Sequence, residues 1–180
     1  MTHGPDLCAL LLRVALAITM FAHGWNHAFG GGKLAGTARW FESIGIRPGR
    51  VHATLATLTE LGVAPLLVLG LLTPLAAAGV VGTMVVALVA NHLRNGYFIF
   101  RPGEGYEYVL FLILSALALG ALGGGQWSVD HVIADHASGL GDWLHGWHGL
   151  LVAGVAGGGG AALLLVTCWR PDRKPAAAAG

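Results

Sequence analysis

Charged residues are scarce in this chain. Asp, Glu, Lys and Arg make up 11% of its 180 residues, whereas soluble domains average about 25%. So few charges leave too little polar material to cover the outside of a water-soluble helical bundle. The net charge of +1 also gives no basic surface of the kind that binds nucleic acid. The composition therefore argues against a nucleic-acid partner and favours the lipid bilayer.

Cysteine is almost absent as well. The chain has only Cys8 and Cys168, which we expect at opposite faces of a membrane, where no single disulfide can join them. No CxxC motif is present, so the chain carries no internal dithiol for redox chemistry. Any redox role therefore requires a cofactor or a partner protein.

Long apolar runs take up most of the sequence. Each is close to the roughly 20 residues that a helix needs to cross about 30 Å of hydrocarbon. We therefore predict an all-α, polytopic membrane protein, with a four-helix transmembrane bundle and an appended fifth transmembrane helix. The five runs are Leu7–Phe29, Val51–Leu72, Leu75–His92, Tyr106–Leu122 and Leu150–Trp169.

The basic residues fall in alternate gaps between these runs. Of the ten Lys and Arg residues, only Arg13 lies inside a run, and the segment before the first run and the second and fourth gaps contain none. Such an asymmetry predicts that the basic gaps are cytoplasmic, with the N-terminus outside and the C-terminus inside. The other nine residues are Lys33, Arg39, Arg47, Arg50, Arg94, Arg101, Arg170, Arg173 and Lys174.

The gaps differ in character. The first inner loop is expected to hold a short interfacial helix over Thr37–Gly45, with Trp40, Phe41 and Ile44 on one side. The outer gap Gly123–Gly149 is rich in Asp and His, which favours a solvated acidic loop. These features divide the chain into a four-helix domain (1–133), an outer loop (134–149), the fifth helix (150–169) and a disordered cytoplasmic tail (170–180).

Several ionisable groups lie inside the spans or at their ends, where they are costly and are often paired or functional. His23 and His27 share one helix face, and so do Glu104, Glu107 and Tyr108. Glu60 lies nine residues beyond Val51, roughly 13 Å along the helix and near the midplane. The predicted topology brings these groups to the inner half of one bundle, in a pocket formed by His23, Asn26, His27, Glu60, Asn91, His92, Glu107 and Tyr108.

Three interpretations of this cluster remain open. Its carboxylates and imidazoles can pair with one another and lock the bundle. Alternatively, they can hydrogen-bond the carbonyls of a quinone and pass protons to it, because such ligands need an apolar slot with His, Asp, Glu or Tyr groups. The third interpretation is a metal or proton site for transport, or haem ligation by the same histidines. Only His23 and His27 have suitable metal-ligand spacing within the pocket.

Other polar and small residues outside this cluster have competing interpretations. Arg13 either snorkels outward or pairs with an outer-loop aspartate such as Asp130. His131 and Asp135 are four residues apart and are weak metal candidates. Close helix packing, or a homo-oligomer interface, is indicated by GxxxG motifs, at Gly120 with Gly124 and at Gly154 with Gly158.

Five segments of the sequence resemble the DoxX family of small bacterial membrane proteins. The resemblance covers about residues 7–133 and places Glu60 at the acidic position of the family's second span. The segments are FAHGWNHAFG (21–30), LAGTARWFESIGI (34–46), TLTELGVAPLLVLGLLTPLAA (57–77), NHLRNGYF (91–98) and GYEYVLFL (105–112).

The resemblance implies a four-helix bundle in the bacterial inner membrane. It also implies an oxidoreductase role, or a role as membrane partner of redox enzymes, and a related subunit belongs to thiosulfate:quinone oxidoreductases. The family's polar positions fall on His23, Glu60, His92, Glu107 and Tyr108. A redox-associated subunit with a quinone ligand is the first hypothesis. A non-catalytic accessory subunit that grips a larger complex is the second, and a small transporter is the third.

The charge asymmetry predicts that a tag fused to the C-terminus is accessible only from the cytoplasm. Protease or impermeant-reagent access to such a tag, in intact cells and in inverted vesicles, measures this directly. A tag reached only from outside the cell would contradict the predicted orientation.

Overall fold

The computed structural model describes residues 3–136, 139 and 141–171, and this part of the chain is helical without strands. The predicted tail extends beyond Pro171, so most of it, including Arg173 and Lys174, lies outside the described residues. The all-α prediction is therefore confirmed for the described part of the chain.

The described residues form eight α-helices. A π turn (Leu88–His92) and a 3-10 turn (Leu93–Asn95) continue α4, and a π turn (Val152–Ala156) joins α7 to α8. We refer to Gly146–Cys168 as the C-terminal helix. The helices are α1 (Gly4–Phe29), α2 (Lys33–Ser43), α3 (Gly49–Leu69), α4 (Thr73–Ala87), α5 (Glu107–Leu122), α6 (Val129–His136), α7 (Gly146–Leu151) and α8 (Gly157–Cys168).

Four of these helical stretches are long and apolar enough to cross a membrane. They are α1, α3, Thr73–Asn95 and the C-terminal helix. The helix α5 is apolar but has 16 residues, about 24 Å at 1.5 Å per residue, which is short of a hydrocarbon core of about 30 Å. The chain is thus a multi-pass helical membrane protein, and the prediction of transmembrane helices is confirmed for four of them.

The helices α1, α3, α4 and α5 surround the main apolar core. α1 packs against α3 and α5, and α4 packs against α3, α5 and the C-terminal helix. Lipid tails are as apolar as these side chains, so close packing between the helices, and not removal from water, holds the bundle together. The largest fully buried apolar members are Met20, Leu67, Val80 and Leu119.

A tight turn joins α3 to α4. α3 ends with Gly70 in the left-handed conformation (φ 62°), and α4 begins at Thr73 with Pro74 in its first turn. A Cβ atom at Gly70 would collide with the Arg13 guanidinium. Glycine is therefore required here both by the backbone conformation and by the close approach of α1.

Arg13 joins α1 to the segment that follows α5. Its side chain is 1% exposed and donates hydrogen bonds of 2.9 Å to the carbonyl oxygens of Gly124 and Trp127. Asp130, also buried, accepts hydrogen bonds from the backbone N–H groups of Leu72 (2.6 Å) and Thr73 (2.7 Å). We call these contacts the N-terminal-end network, because they lie at the end of the bundle where α1 begins.

This network corrects two expectations. Arg13 does not snorkel outward, because its two terminal guanidinium nitrogens donate to backbone carbonyls within the chain; its Nε atom is buried without a partner among the described residues. The outer loop is not solvated at Asp130, which caps the start of α4 instead. A carboxylate that accepts two N–H groups at a helix N-terminus removes two unpaired donors and complements the helix dipole.

The opposite end of the bundle is held by backbone pairing between distant segments. The Arg47 N–H donates to the Cys168 carbonyl (3.0 Å), and the Arg170 N–H donates to the Gly45 carbonyl (2.6 Å). The Trp169 indole N–H also donates to the Ile44 carbonyl (3.0 Å). The first inner loop and the end of the C-terminal helix therefore lie at the same end of the bundle, as the alternation of basic gaps requires.

The predicted interfacial helix is present but begins four residues earlier, as α2. Phe41 is buried in a second apolar cluster with Ala38, Ile46 and Ala53, whereas Trp40 remains 44% exposed. Phe41 and Trp40 therefore have different environments, and only Phe41 anchors α2 to α3.

Glycines bring the C-terminal helix close to its neighbours, but Gly158 of the predicted Gly154–Gly158 pair is not one of them. A Cβ atom at Gly149 would overlap the Gly120 carbonyl oxygen, and one at Gly157 would lie 2.5 Å from the Ala78 carbonyl oxygen. A Cβ atom at Gly158, by contrast, would meet nothing within 4 Å. Gly120 therefore contributes to packing within the chain, and Gly158 of the predicted pair does not.

These contacts predict that Gly157→Leu destabilises the protein. A larger side chain has no room against α4, so we expect a loss of roughly 1–3 kcal/mol in the free energy of unfolding. Thermal unfolding in mild detergent measures the effect. Gly158→Leu is the control, and it should be neutral or slightly stabilising because leucine favours helix more than glycine does. Equal effects of the two variants would contradict this packing.

Candidate functional site

A large cavity runs along the bundle, from Leu75 near the start of α4 to Ile44 and His92 at the opposite end. It has a volume of about 1400 Å³, and its walls come from α1, α2, α3, α4, α5 and the C-terminal helix. Most of the lining is apolar. Asn26 alone among the predicted pocket residues lies outside the lining; those that line it are His23, His27, Glu60, Asn91, His92, Glu107 and Tyr108.

The central polar feature of the wall is a contact between α1 and α3. The Nδ1 atom of His27 lies 2.9 Å from an Oε atom of Glu60, and the two side chains are 17% and 2% exposed. This contact is an ion pair when the imidazole is protonated. Its geometry is not that of a hydrogen bond, and neither of the two atoms has another hydrogen-bond partner in the described part of the structure. A buried carboxylate without such a partner is strongly unfavourable, so the pair stabilises the position where α1 crosses α3.

Local sequence explains why these two side chains meet. A Cβ atom at Gly24 would lie within 3.0 Å of Leu61 and of the Glu60 Cβ atom. Glycine at this position therefore lets α1 approach α3 closely, one turn before His27. The ring of His27 also contacts Phe41 edge-on, with centroids 6.1 Å apart, and this fixes the ring from the side of α2.

Asn91 and His92 lie in the π turn that ends α4. The His92 Nδ1 atom lies 2.9 Å from the Glu104 carbonyl oxygen, and its Nε2 atom lies 3.2 Å from the Asn91 amide nitrogen. A neutral imidazole with its proton on Nδ1 satisfies both contacts. Both ring nitrogens of His92 are thus engaged by the protein, and the ring holds the loop between α4 and α5 against the cavity.

Glu107 also has a protein partner. Its carboxylate accepts a hydrogen bond of 3.3 Å from the backbone N–H of Ile99. Asn95 reinforces the same loop by donating to the carbonyl oxygens of Asn91, Gly103 and Glu104. The polar residues at this wall of the cavity therefore shape the 96–106 loop, whereas the His27–Glu60 pair lies between two membrane helices.

His52 was overlooked in the sequence, although it lines the cavity. It is 7% exposed, and its Nδ1 atom is buried without a hydrogen-bond partner. Its position eight residues before Glu60, about two turns along α3, was the signal that could have found it. An unsatisfied buried imidazole is uncommon and marks a position where a ligand or water is expected.

No metal centre forms in the part of the chain that the structure describes, where no three His, Cys, Asp or Glu side chains come together. His27 contacts Glu60, and His23 is exposed one turn earlier. His131 and Asp135 lie 3.8 Å apart, with side chains 47% and 61% exposed. The residues that the sequence suggested as metal ligands therefore form at most a pair, not a full ligand set.

The helical bundle and its cavity define a multi-pass membrane protein with a partly polar, membrane-embedded pocket. The family model described as DoxX matches residues 8–93, which include α1, α2, α3 and α4 and supply both members of the His27–Glu60 pair. The resemblance to DoxX is thus confirmed over residues 8–93. No curated protein and no solved structure matches the chain.

The buried contact predicts a thermodynamic coupling between His27 and Glu60. His27→Ala leaves the carboxylate unpaired, so we expect the free energy of unfolding to fall by roughly 3 kcal/mol. The double variant with Glu60→Gln should regain part of this loss, because it removes the unpaired charge. Unfolding in mild detergent at neutral pH measures the two single variants, His27→Ala and Glu60→Gln, and the double variant.

His23→Ala is the matched control, since His23 lies one turn earlier on α1 and is exposed. We expect it to change stability by no more than about 0.5 kcal/mol. Strictly additive losses in the double variant would show that the two side chains do not interact.

Proposed function

We propose that the protein is a redox-associated membrane subunit that binds a quinone-type ligand in this cavity. The observation that carries the proposal is the His27–Glu60 pair, an imidazole in contact with a carboxylate on the wall of a large cavity within a membrane bundle. Quinone carbonyls require a hydrogen-bond donor in an otherwise apolar slot, and a histidine held by a carboxylate provides one.

The residues present suit such a ligand. The cavity exceeds the usual 300–1,000 Å³ of small-molecule sites, so its volume suits a ring with a long tail. His27 would hold one carbonyl oxygen, and the unsatisfied Nδ1 of His52 offers a second polar contact on the same wall. A quinone, when bound, takes up two electrons and two protons, and the electrons would come from a partner redox protein.

In this proposal the N-terminus faces outward and the C-terminus faces the cytoplasm, in the inner membrane of a bacterium. The five helices then cross the bilayer in turn, with the short α5 as the fourth span. The 1–133 segment would form the ligand-binding domain. The C-terminal helix would be an addition to it, and the cavity would open toward the cytoplasmic leaflet.

A second candidate function is that of an accessory subunit in a larger membrane complex. It is supported by the C-terminal helix, which lies beyond the residues that match DoxX. Its side chains Val155, Leu163 and Val166 are at least 66% exposed and offer an apolar surface to lipid or to another subunit. Co-purification in mild detergent separates this function from the first, because an accessory subunit retains its partner when the cavity is altered.

The quinone proposal predicts that Glu60→Gln and His27→Ala each weaken quinone binding at least tenfold, or about 1.4 kcal/mol. The reason is that each change removes either the hydrogen-bond donor or the carboxylate that orients it. Titration of the purified protein with decylubiquinone, followed by quenching of tryptophan fluorescence, measures the affinity.

Glu42→Gln is the control, since Glu42 lies outside the cavity and accepts a hydrogen bond from the Gly49 N–H. It should bind decylubiquinone as the unaltered protein does. Unchanged affinity in both Glu60→Gln and His27→Ala would show that the pair is only structural.

A further inference from the structure

The cavity extends beyond its polar wall along α3, α4 and the C-terminal helix. In this extension the lining is apolar apart from Thr59 and Thr83 and includes no charged residue. Thr59 directly precedes Glu60 in the sequence, so the apolar extension is continuous with the polar wall. Its main lining residues are Gly62, Leu66, Leu75, Ala78, Gly79, Gly82, Val86, Ala156, Gly157 and Gly160.

Helix packing makes this extension a groove. The position of a Cβ atom on Gly79 lies against Val63 of α3, and that on Gly82 lies against Gly157 of the C-terminal helix. α3 and the C-terminal helix thus pack on neighbouring faces of α4, while they make few contacts with each other. Gly79 and Gly82 form the floor between them and remain partly exposed. We call this the tail groove.

Glycines also keep the two sides of the tail groove free of side chains. Gly62 on α3 and Gly160 on the C-terminal helix both line the cavity, and a Cβ atom at either position would meet nothing within 4 Å. Along α4, the lining runs from Leu75 to Val86, which is about 16 Å at 1.5 Å per residue. The space therefore has the length and the apolar character that suit a hydrocarbon chain.

The chemistry of the surroundings selects the occupant. Within the hydrocarbon region, a groove without charges attracts neither ions nor polar solutes. A hydrocarbon chain can fill the groove at no cost in hydrogen bonds, because the backbone groups along it are already bonded within the helices. The groove is continuous with the region around Glu60. This continuity indicates that the hydrocarbon chain belongs to a molecule whose polar head lies at the His27–Glu60 pair.

We propose that the tail groove binds the hydrocarbon tail of the quinone-type ligand and sets a preference for long-tailed over tail-less molecules. This inference rests on the proposed function, because it assigns the tail of the same ligand. It further implies that the ligand enters sideways from the bilayer, between α3 and the C-terminal helix.

A bulky side chain on the side of the groove tests the proposal. Gly160→Phe should fill the groove, because its Cβ points into open space that lines the cavity. We expect this variant to lose at least tenfold in affinity for decylubiquinone, while its weaker affinity for the tail-less ubiquinone-0 stays unchanged. Gly62→Phe, on the opposite side of the groove, should have the same effect. Because Gly62 lies on α3, agreement between the two variants excludes a folding defect specific to the C-terminal helix.

Gly159→Phe is the matched control. It lies next to Gly160 on the same helix, a Cβ atom there also meets nothing within 4 Å, and it does not line the cavity. Both probes should therefore bind it as they bind the unaltered protein. Loss of decylubiquinone binding in Gly159→Phe as well would attribute the effect to the helix surface and overturn the tail groove.

The possible failures can be told apart. If decylubiquinone binds but Gly160→Phe and Gly62→Phe do not weaken it, the tail groove is wrong and the proposed function stands. If neither probe binds the unaltered protein, the proposed function fails. If a photoreactive fatty acid then labels the groove, and Gly160→Phe and Gly62→Phe block the labelling while Gly159→Phe does not, the groove holds a structural lipid and the quinone assignment is overturned.

Discussion

The structure depends on satisfying one buried cation. A guanidinium within the membrane-spanning part of a helix is unfavourable unless its donors are paired, and Arg13 is paired with the carbonyl oxygens of Gly124 and Trp127. The same region holds Asp130, which caps the start of α4 through Leu72 and Thr73. These contacts tie α1, the α3–α4 turn and the segment after α5 together. They thereby fix the positions of the helices relative to one another along the bundle axis.

The location of the site follows from these positions of the helices along the bundle axis. Once α1 and α3 are held at one end, the close approach at Gly24 brings His27 within 2.9 Å of Glu60. The other end is closed separately, by the backbone pairing of Gly45 and Arg47 with the end of the C-terminal helix. The cavity lies between these two fixed ends, so its walls are held by contacts that do not themselves line its polar part.

Much of the site could be predicted because the membrane limits where polar groups can lie. His23 and His27 were assigned to one face from their spacing, and Glu60 was assigned to the same depth from its distance along the second span. Asn26 was included for its closeness in sequence and lies outside the cavity. His52 was missed because its burial depends on how α2 and α3 pack, although its spacing of two helical turns from Glu60 puts both residues on one face of α3.

The sequence by itself determined that the chain is helical, where its apolar segments lie and which polar residues share a depth. These properties follow from local spacing and from the cost of exposing polar groups to hydrocarbon. Only the tertiary structure decided which helices are neighbours, because that depends on small residues that permit close approach. It is for this reason that Gly149 and Gly157, rather than Gly158, pack against the bundle. Likewise, Asp130 caps a helix that begins 57 residues earlier in the chain, a pairing that no local pattern contains.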